Sequence, residues 1–139
     1  MKIELNQSNQ KLQYTASTEN ASIEVGANKF VADNEKSFRP MELLLVSLAS
    51  CSAIDIELIL EKQKQKYKSF SVKVEGERRD EIPSVYEEIN LQITVEGNVS
   101  RSKLERAIQL TKEKYCSVFH CLHPEIVINY SSLILHENE

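Results

Sequence analysis

The sequence predicts an α+β fold, and three observations carry that expectation. Apolar and polar residues alternate with period two in six separate stretches. One long stretch, from Met41 to about Lys66, contains neither Gly nor Pro and is apolar for most of its length. After Ser100 apolar residues recur at helical spacing, and this second helical stretch is followed by a strand. Strands and helices are thus segregated along the chain rather than strictly alternating. At 139 residues, 41% apolar and 27% charged, the chain has the size and composition of a single domain, 1–139, with one core.

The elements follow in order. KIELN (2–6), KLQYTAS (11–17) and ASIEV (21–25) read as short strands separated by polar turns. Asp33 to Phe38 is polar and loop-like. Pro40 stands where helices tend to begin, because its missing N–H would be unpaired there anyway. The helix from Met41 to about Lys66 would run roughly 39 Å. Its first half is apolar nearly all round and its second half is charged. That pattern predicts a buried start and an emerging end. SFSVKVEGERR (69–79) and YEEINLQITVE (86–96) alternate cleanly around the polar link RDEIPS, as an antiparallel hairpin would. Ser100 is a candidate N-cap for a helix from Arg101, with Leu104, Ala107, Ile108 and Leu110 or Thr111 on one face. The helical pattern reaches Tyr115 and ends before Pro124. EIVINYSSLIL (125–135) returns to strand.

Composition excludes several classes. The net charge is −4 and the densest basic run is EKQKQKYK, a solvated helix end, so no nucleic-acid partner is expected. MKIELNQSNQ is charged and polar rather than apolar, so no secretory leader is expected. Asp55 and Glu57 interrupt the longest apolar stretch, which argues against a membrane span. With only three Gly there is no Gly-rich cradle for a phosphate cofactor, and no cofactor is expected. Three cysteines without a leader point to a reducing, cytoplasmic setting, where a disulfide is transient and catalytic.

The cysteines are the chemical candidates. Cys51 lies in LASCSAID, flanked by Ala49, Ser50, Ser52 and Ala53, small residues that let a substrate or a backbone approach. The bland alternative is an inert thiol in a packed helix. KYCSVFHCLHP (114–124) holds Cys116, His120, Cys121 and His123, which are zinc-ligand types. Their spacing is poor for zinc, since adjacent His120 and Cys121 diverge on a helix and no second cluster exists. The alternative there makes Val118, Cys121 and Leu122 core and puts the histidines on the surface. A third possibility pairs Cys116 with Cys51 across two packed helices as a redox dithiol, with Arg39 and Glu42 as candidates for the activating cation and the carboxylate that orients it.

FRPMELLLVSLASCSAIDI resembles the segment around the first cysteine of the OsmC/Ohr family, the osmotically inducible and organic-hydroperoxide-resistance proteins. YCSVFHCLHP is similar to that family's second-cysteine segment, and the order of elements fits along nearly the whole chain. The resemblance implies antiparallel sheets wrapped around two central helices in an intertwined homodimer. It implies reduction of organic hydroperoxides, with Cys51 as the attacking thiol and Cys116 as the resolving thiol. A dithiol of the dihydrolipoamide type would be the external reductant. The alternative is a protein of the same fold that binds a small ligand with little or no turnover. Two positions depart from the family's pattern. Met41 stands where many members have a glutamate, with Glu42 next, and no arginine precedes Arg39, which leaves Lys29 or Arg39 to supply positive charge.

Overall fold

The structure is a computed structural model that describes residues 1–27 and 37–136. Most of the expected loop at Asp33–Phe38, and Lys29, lie outside the described residues. The chain divides into two compact units, Met1–Leu44 and Leu45–Glu139.

In the first unit β1 (Glu4–Gln7), β2 (Gln13–Ser17) and β3 (Ser22–Gly26) form an antiparallel sheet in that order. The register places Leu5, Ala16 and Ile23 side by side, so one face of the sheet is apolar. Leu5 and Ile23 nevertheless remain exposed. Phe38 ties the end of this unit to β3: its N–H donates to Glu24 O and its carbonyl accepts from Gly26 N–H. A helix then begins at Pro40. The Glu42 carboxylate accepts the Arg39 backbone N–H at 2.8 Å, satisfying a donor that the helix start leaves open.

That helix, α1, spans Pro40–Lys62 and ends four residues earlier than the pattern suggested. Lys64 takes a positive φ of 58° and Lys64 N–H turns to Glu61 O, which ends the helix. Its burial also departs from expectation. Leu48, Ser52, Ile56 and Leu60 are buried as a stripe along its length, whereas Leu44 and Val46 at its start are exposed. Burial thus follows one face of the helix rather than its start, since Ile54 and Leu58 farther along are exposed as well.

The second unit is built on β4 (Ser69–Arg78), β5 (Tyr86–Glu96) and β6 (Val127–Leu135), with β5 central. β4 and β5 pair antiparallel as expected. β6 runs parallel to β5, so the sheet is mixed and not antiparallel throughout. The connection carries α2 (Arg101–Leu110), a π-helical turn (Thr111–Tyr115) and α3 (Ser117–Cys121), long enough to bring the chain back to the same end of the sheet. Ile89, Leu91, Ile93 and Val95 of β5 bury one face. Ile56 and Leu60 of α1 meet Ile93 and Val95 of β5 and Leu104 and Ala107 of α2 in one core cluster. Ser100 is the N-cap of α2 by its backbone, but its hydroxyl turns to Ser102 and makes no cap hydrogen bond.

Candidate active site: a thiol–carboxylate cluster

On α1, Cys51 and Asp55 are four residues apart and share a face one turn from each other. Ser52 follows Cys51 on the buried stripe. Cys116 comes from the other side of the core. The π-helical turn ends there, and Cys116 leaves the helical region with φ −75° and ψ 101° to become the N-cap of α3. Its sulfur accepts the Phe119 N–H at 3.4 Å and lies 3.7 Å from Ser52 Oγ. Ser52 Oγ is also 2.8 Å from the hydroxyl of Tyr130 on β6, whose backbone position pairs with Leu91 of β5. Two helical segments and one strand therefore converge on the thiols.

The sulfur atoms of Cys51 and Cys116 and a carboxylate oxygen of Asp55 all lie within 4.8 Å of one another. Cys116 is wholly buried and Cys51 half-buried. Both thiols are free. Burial pushes the Cys116 thiol up. The Phe119 N–H and the Ser52 hydroxyl pull it down, and the neighbouring Cys51 thiol raises it further. Burial likewise raises Asp55, whose Oδ2 is shut off from solvent with no hydrogen-bond partner among the described residues. Tyr130 is pushed up to about 12, first by burial and then by the acidic neighbours Cys116, Cys51 and Asp55, against the Ser52 hydrogen bond. Among the described residues no cation influences Cys116.

Tyr130 also faces outward. It lines a groove of about 820 Å³ with Arg101, Lys112, Phe119, His120 and Ser132. A different groove of about 790 Å³, bordered by Ile54, Leu58, Lys64 and Tyr67, sits at the far end of α1 and contains no cysteine.

The structure thus brings Cys51 and Cys116 together. Arg39 and Glu42 are paired with each other, Nε to Oε1 at 3.8 Å, at the start of α1 in the first unit. The zinc reading of 114–124 does not hold in the form the sequence suggested. Cys116 is buried while His120, Cys121 and His123 are exposed, and His123 Nδ1 accepts the Glu125 N–H. Cys121 is not core; the break at Cys116 restarts the helix and turns Cys121 to solvent. Sequence reasoning missed three participants. Asp55 carried a usable signal, a carboxylate one turn after a cysteine in an apolar helix. Ser52 was noted only for its size, and Tyr130 had no local signal.

The family described as OsmC-like protein matches residues 32–131, which is most of the chain. The chain belongs to the OsmC-like protein family. Over 98 residues, 70% of this chain and 73% of the relative, it is 39% identical to Protein YhfA of Escherichia coli strain K12. Its fold is similar to that of a protein from Aquifex aeolicus VF5, with a TM-score of 0.87 and 35% identity over 99% of this chain and 97% of the other. An OsmC-like protein from Mycoplasma pneumoniae superposes with a TM-score of 0.80 at 20% identity over 98% and 99% of the two chains. An organic hydroperoxide resistance protein OsmC from Legionella pneumophila has a TM-score of 0.70 at 11% identity over 95% and 96%, a likeness of fold alone. In this OsmC-like chain the thiol pair falls within the matched region.

Proposed function

We propose that this OsmC-like protein is a thiol peroxidase that reduces organic hydroperoxides through Cys51 and Cys116. The observation that carries the reading is the approach of the two sulfurs to within 4.8 Å across separate elements of one core. The half-buried Cys51 is the attacker, since an incoming peroxide cannot reach a wholly buried Cys116. The Cys51 thiolate attacks the distal peroxide oxygen and the O–O bond breaks. The alkoxide takes a proton and leaves as the alcohol, and Cys51 becomes a sulfenic acid. The Cys116 sulfur then attacks that sulfur. The sulfenic hydroxyl leaves with the Cys116 proton as water, and a disulfide forms. An external dithiol of the lipoyl type returns both thiols by exchange. The cytoplasm is the proposed setting.

The protein acts as a homodimer in this reading. Val46, Ile54 and Leu58 leave an apolar face of α1 in solvent, and Leu5 and Ile23 do the same on the first sheet. Exposed apolar area of this kind marks an interaction surface.

The test is cumene hydroperoxide added to the reduced protein. Two thiols are consumed per peroxide, and a peptide map yields the Cys51–Cys116 disulfide. Cys51→Ser abolishes turnover, and Cys116→Ser leaves Cys51 to over-oxidise. Full activity in Cys51→Ser would overturn the assignment. One observation favours a second reading, a small-ligand binder with little turnover: among the described residues no cation acts on the buried Cys116 thiol. Thiols unchanged by peroxide in the wild-type protein select that reading.

A further inference from the structure

We propose that Cys51, Asp55 and Cys116 form a binding site for one thiophilic divalent cation, with Zn²⁺ as its natural occupant. Among the described residues this is the one group of His, Cys, Asp and Glu side chains close enough to share an ion. It is not the set suggested by the spacing in KYCSVFHCLHP. Two thiolates and a carboxylate are a zinc donor set, and three protein ligands leave a fourth tetrahedral position open. Sulfur donors select zinc over magnesium or calcium.

The geometry is close to what the ion needs. Two sulfurs bound to one tetrahedral zinc stand about 3.8 Å apart, from Zn–S bonds of about 2.3 Å. The three donor atoms already lie within 4.8 Å of one another, so small side-chain rotations close the site. The ligands also sit on fixed backbone. Cys51 and Asp55 are one turn apart in a long helix, and Cys116 is pinned at the junction of the π-helical turn and α3.

Two observations on Asp55 favour an ion at this cluster. Asp55 Oδ2 is buried and accepts no hydrogen bond from the described residues, although a buried carboxylate oxygen ordinarily has a donor. Asp55 also has no ion pair among the described residues. A divalent cation supplies both the partner and the charge. The surroundings fit as well: Ser52 Oγ stands 3.7 Å from the Cys116 sulfur and is itself held by Tyr130 at 2.8 Å. Hydrogen bonds around the ligand atoms orient them toward the metal.

Ion and disulfide use the same two sulfurs and exclude each other. The site rests on the thiol geometry and not on peroxidase chemistry, so the two readings fail separately. Protein inert to peroxide that still binds zinc removes the peroxidase and leaves the site intact. Protein that turns over peroxide but binds no ion removes the site alone.

The experiment is calorimetric titration of the reduced, metal-free full chain with Zn²⁺, with Co²⁺ as an absorbing probe of thiolate ligation and tetrahedral geometry. The expected result is one ion per chain, with sulfur-to-cobalt charge transfer. Cys51→Ser and Cys116→Ser each weaken binding by roughly a hundredfold or more, and Asp55→Asn by at least about tenfold. Cys121→Ser and His123→Ala leave it unchanged. Oxidation with diamide, which takes both thiol hydrogens, removes the site. Far-UV circular dichroism verifies that each variant is folded, and Asp55→Asn tests the site with both thiols in place. No stoichiometric ion, binding that survives Cys51→Ser, or binding that disappears with Cys121→Ser overturns the proposal.

Discussion

Ser52 and Tyr130 give the sharpest test of how the site is held. Ser52 is fully buried, and its Oγ lies 2.8 Å from the Tyr130 hydroxyl and 3.7 Å from the Cys116 sulfur. Ser52→Ala removes the hydroxyl with little change of volume but strands the Tyr130 phenol in a partly buried place. A buried polar group left without its partner costs about 1–3 kcal/mol. Tyr130→Phe strands less, because the Ser52 hydroxyl keeps the Cys116 sulfur beside it, and the expected loss is about 0.5–1.5 kcal/mol. In Ser52→Ala/Tyr130→Phe neither group is stranded by the other. The double variant should therefore lose less than the sum of the singles, with a coupling of about 1 kcal/mol. Urea unfolding followed by far-UV circular dichroism under reducing conditions measures all four proteins, and a constant m-value shows that the comparison is like with like. Losses that add to within about 0.3 kcal/mol would refute the shared hydrogen bond.

Three further outcomes are expected. A Cβ at Gly76 would stand 2.5 Å from Tyr86 Cε1 and 2.8 Å from Cδ1, so Gly76→Ala displaces a buried ring and should lower stability by about 1–3 kcal/mol in the same assay. Burial pushes Tyr67 and Tyr130 up to about 12, with the Glu57 carboxylate at 2.7 Å adding to the shift of Tyr67. The unfolded chain then releases these protons first, so stability present below pH 10 falls as pH rises toward 12. Ultraviolet phenolate titration should lose one late step in each of Tyr67→Phe and Tyr130→Phe. Ile54→Glu with Leu58→Glu should convert a dimer to a monomer in sedimentation velocity, and a monomeric wild-type protein would contradict the proposed assembly.

What the sequence revealed depended on whether the cause was local. Period-two alternation located β4 and β5 because each buries one face against the helices, and burial writes itself into successive residues. Cys51 stood out because small residues flank it, a local pattern with a local meaning. Asp55 was equally legible by spacing but read as an interruption of an apolar helix; that its oxygen meets two sulfurs depends on where Cys116 arrives. The parallel course of β6 follows from the length of the α2–α3 connection and the face it returns to, which alternation within EIVINYSSLIL does not encode. Tyr130 reaches the site only through the pairing of β6 with β5, where it lies beside Leu91.

The least legible step is the one that sets the geometry of the thiols. TKEKY is an ordinary helix-forming sequence, yet the helix widens there into a π turn. In a regular α-helix the Cys116 N–H would bond to the carbonyl four residues back; here it bonds to Thr111 O, five back, at 2.9 Å. One extra residue in the turn rotates everything after it by about 100° about the axis. Thr111 anchors the irregularity: it is wholly buried and its Oγ1 donates to Ala107 O at 2.8 Å. Cys116 consequently enters the core with its sulfur among Ser52, Cys51 and the Phe119 N–H, while Tyr115 on one side and Ser117 on the other stay exposed. Its position is thus fixed by backbone, and Cys51 sits on a 23-residue helix that is no softer. Any closing of the distance between the sulfurs, to a disulfide or around an ion, falls first on side-chain rotation at the half-buried Cys51.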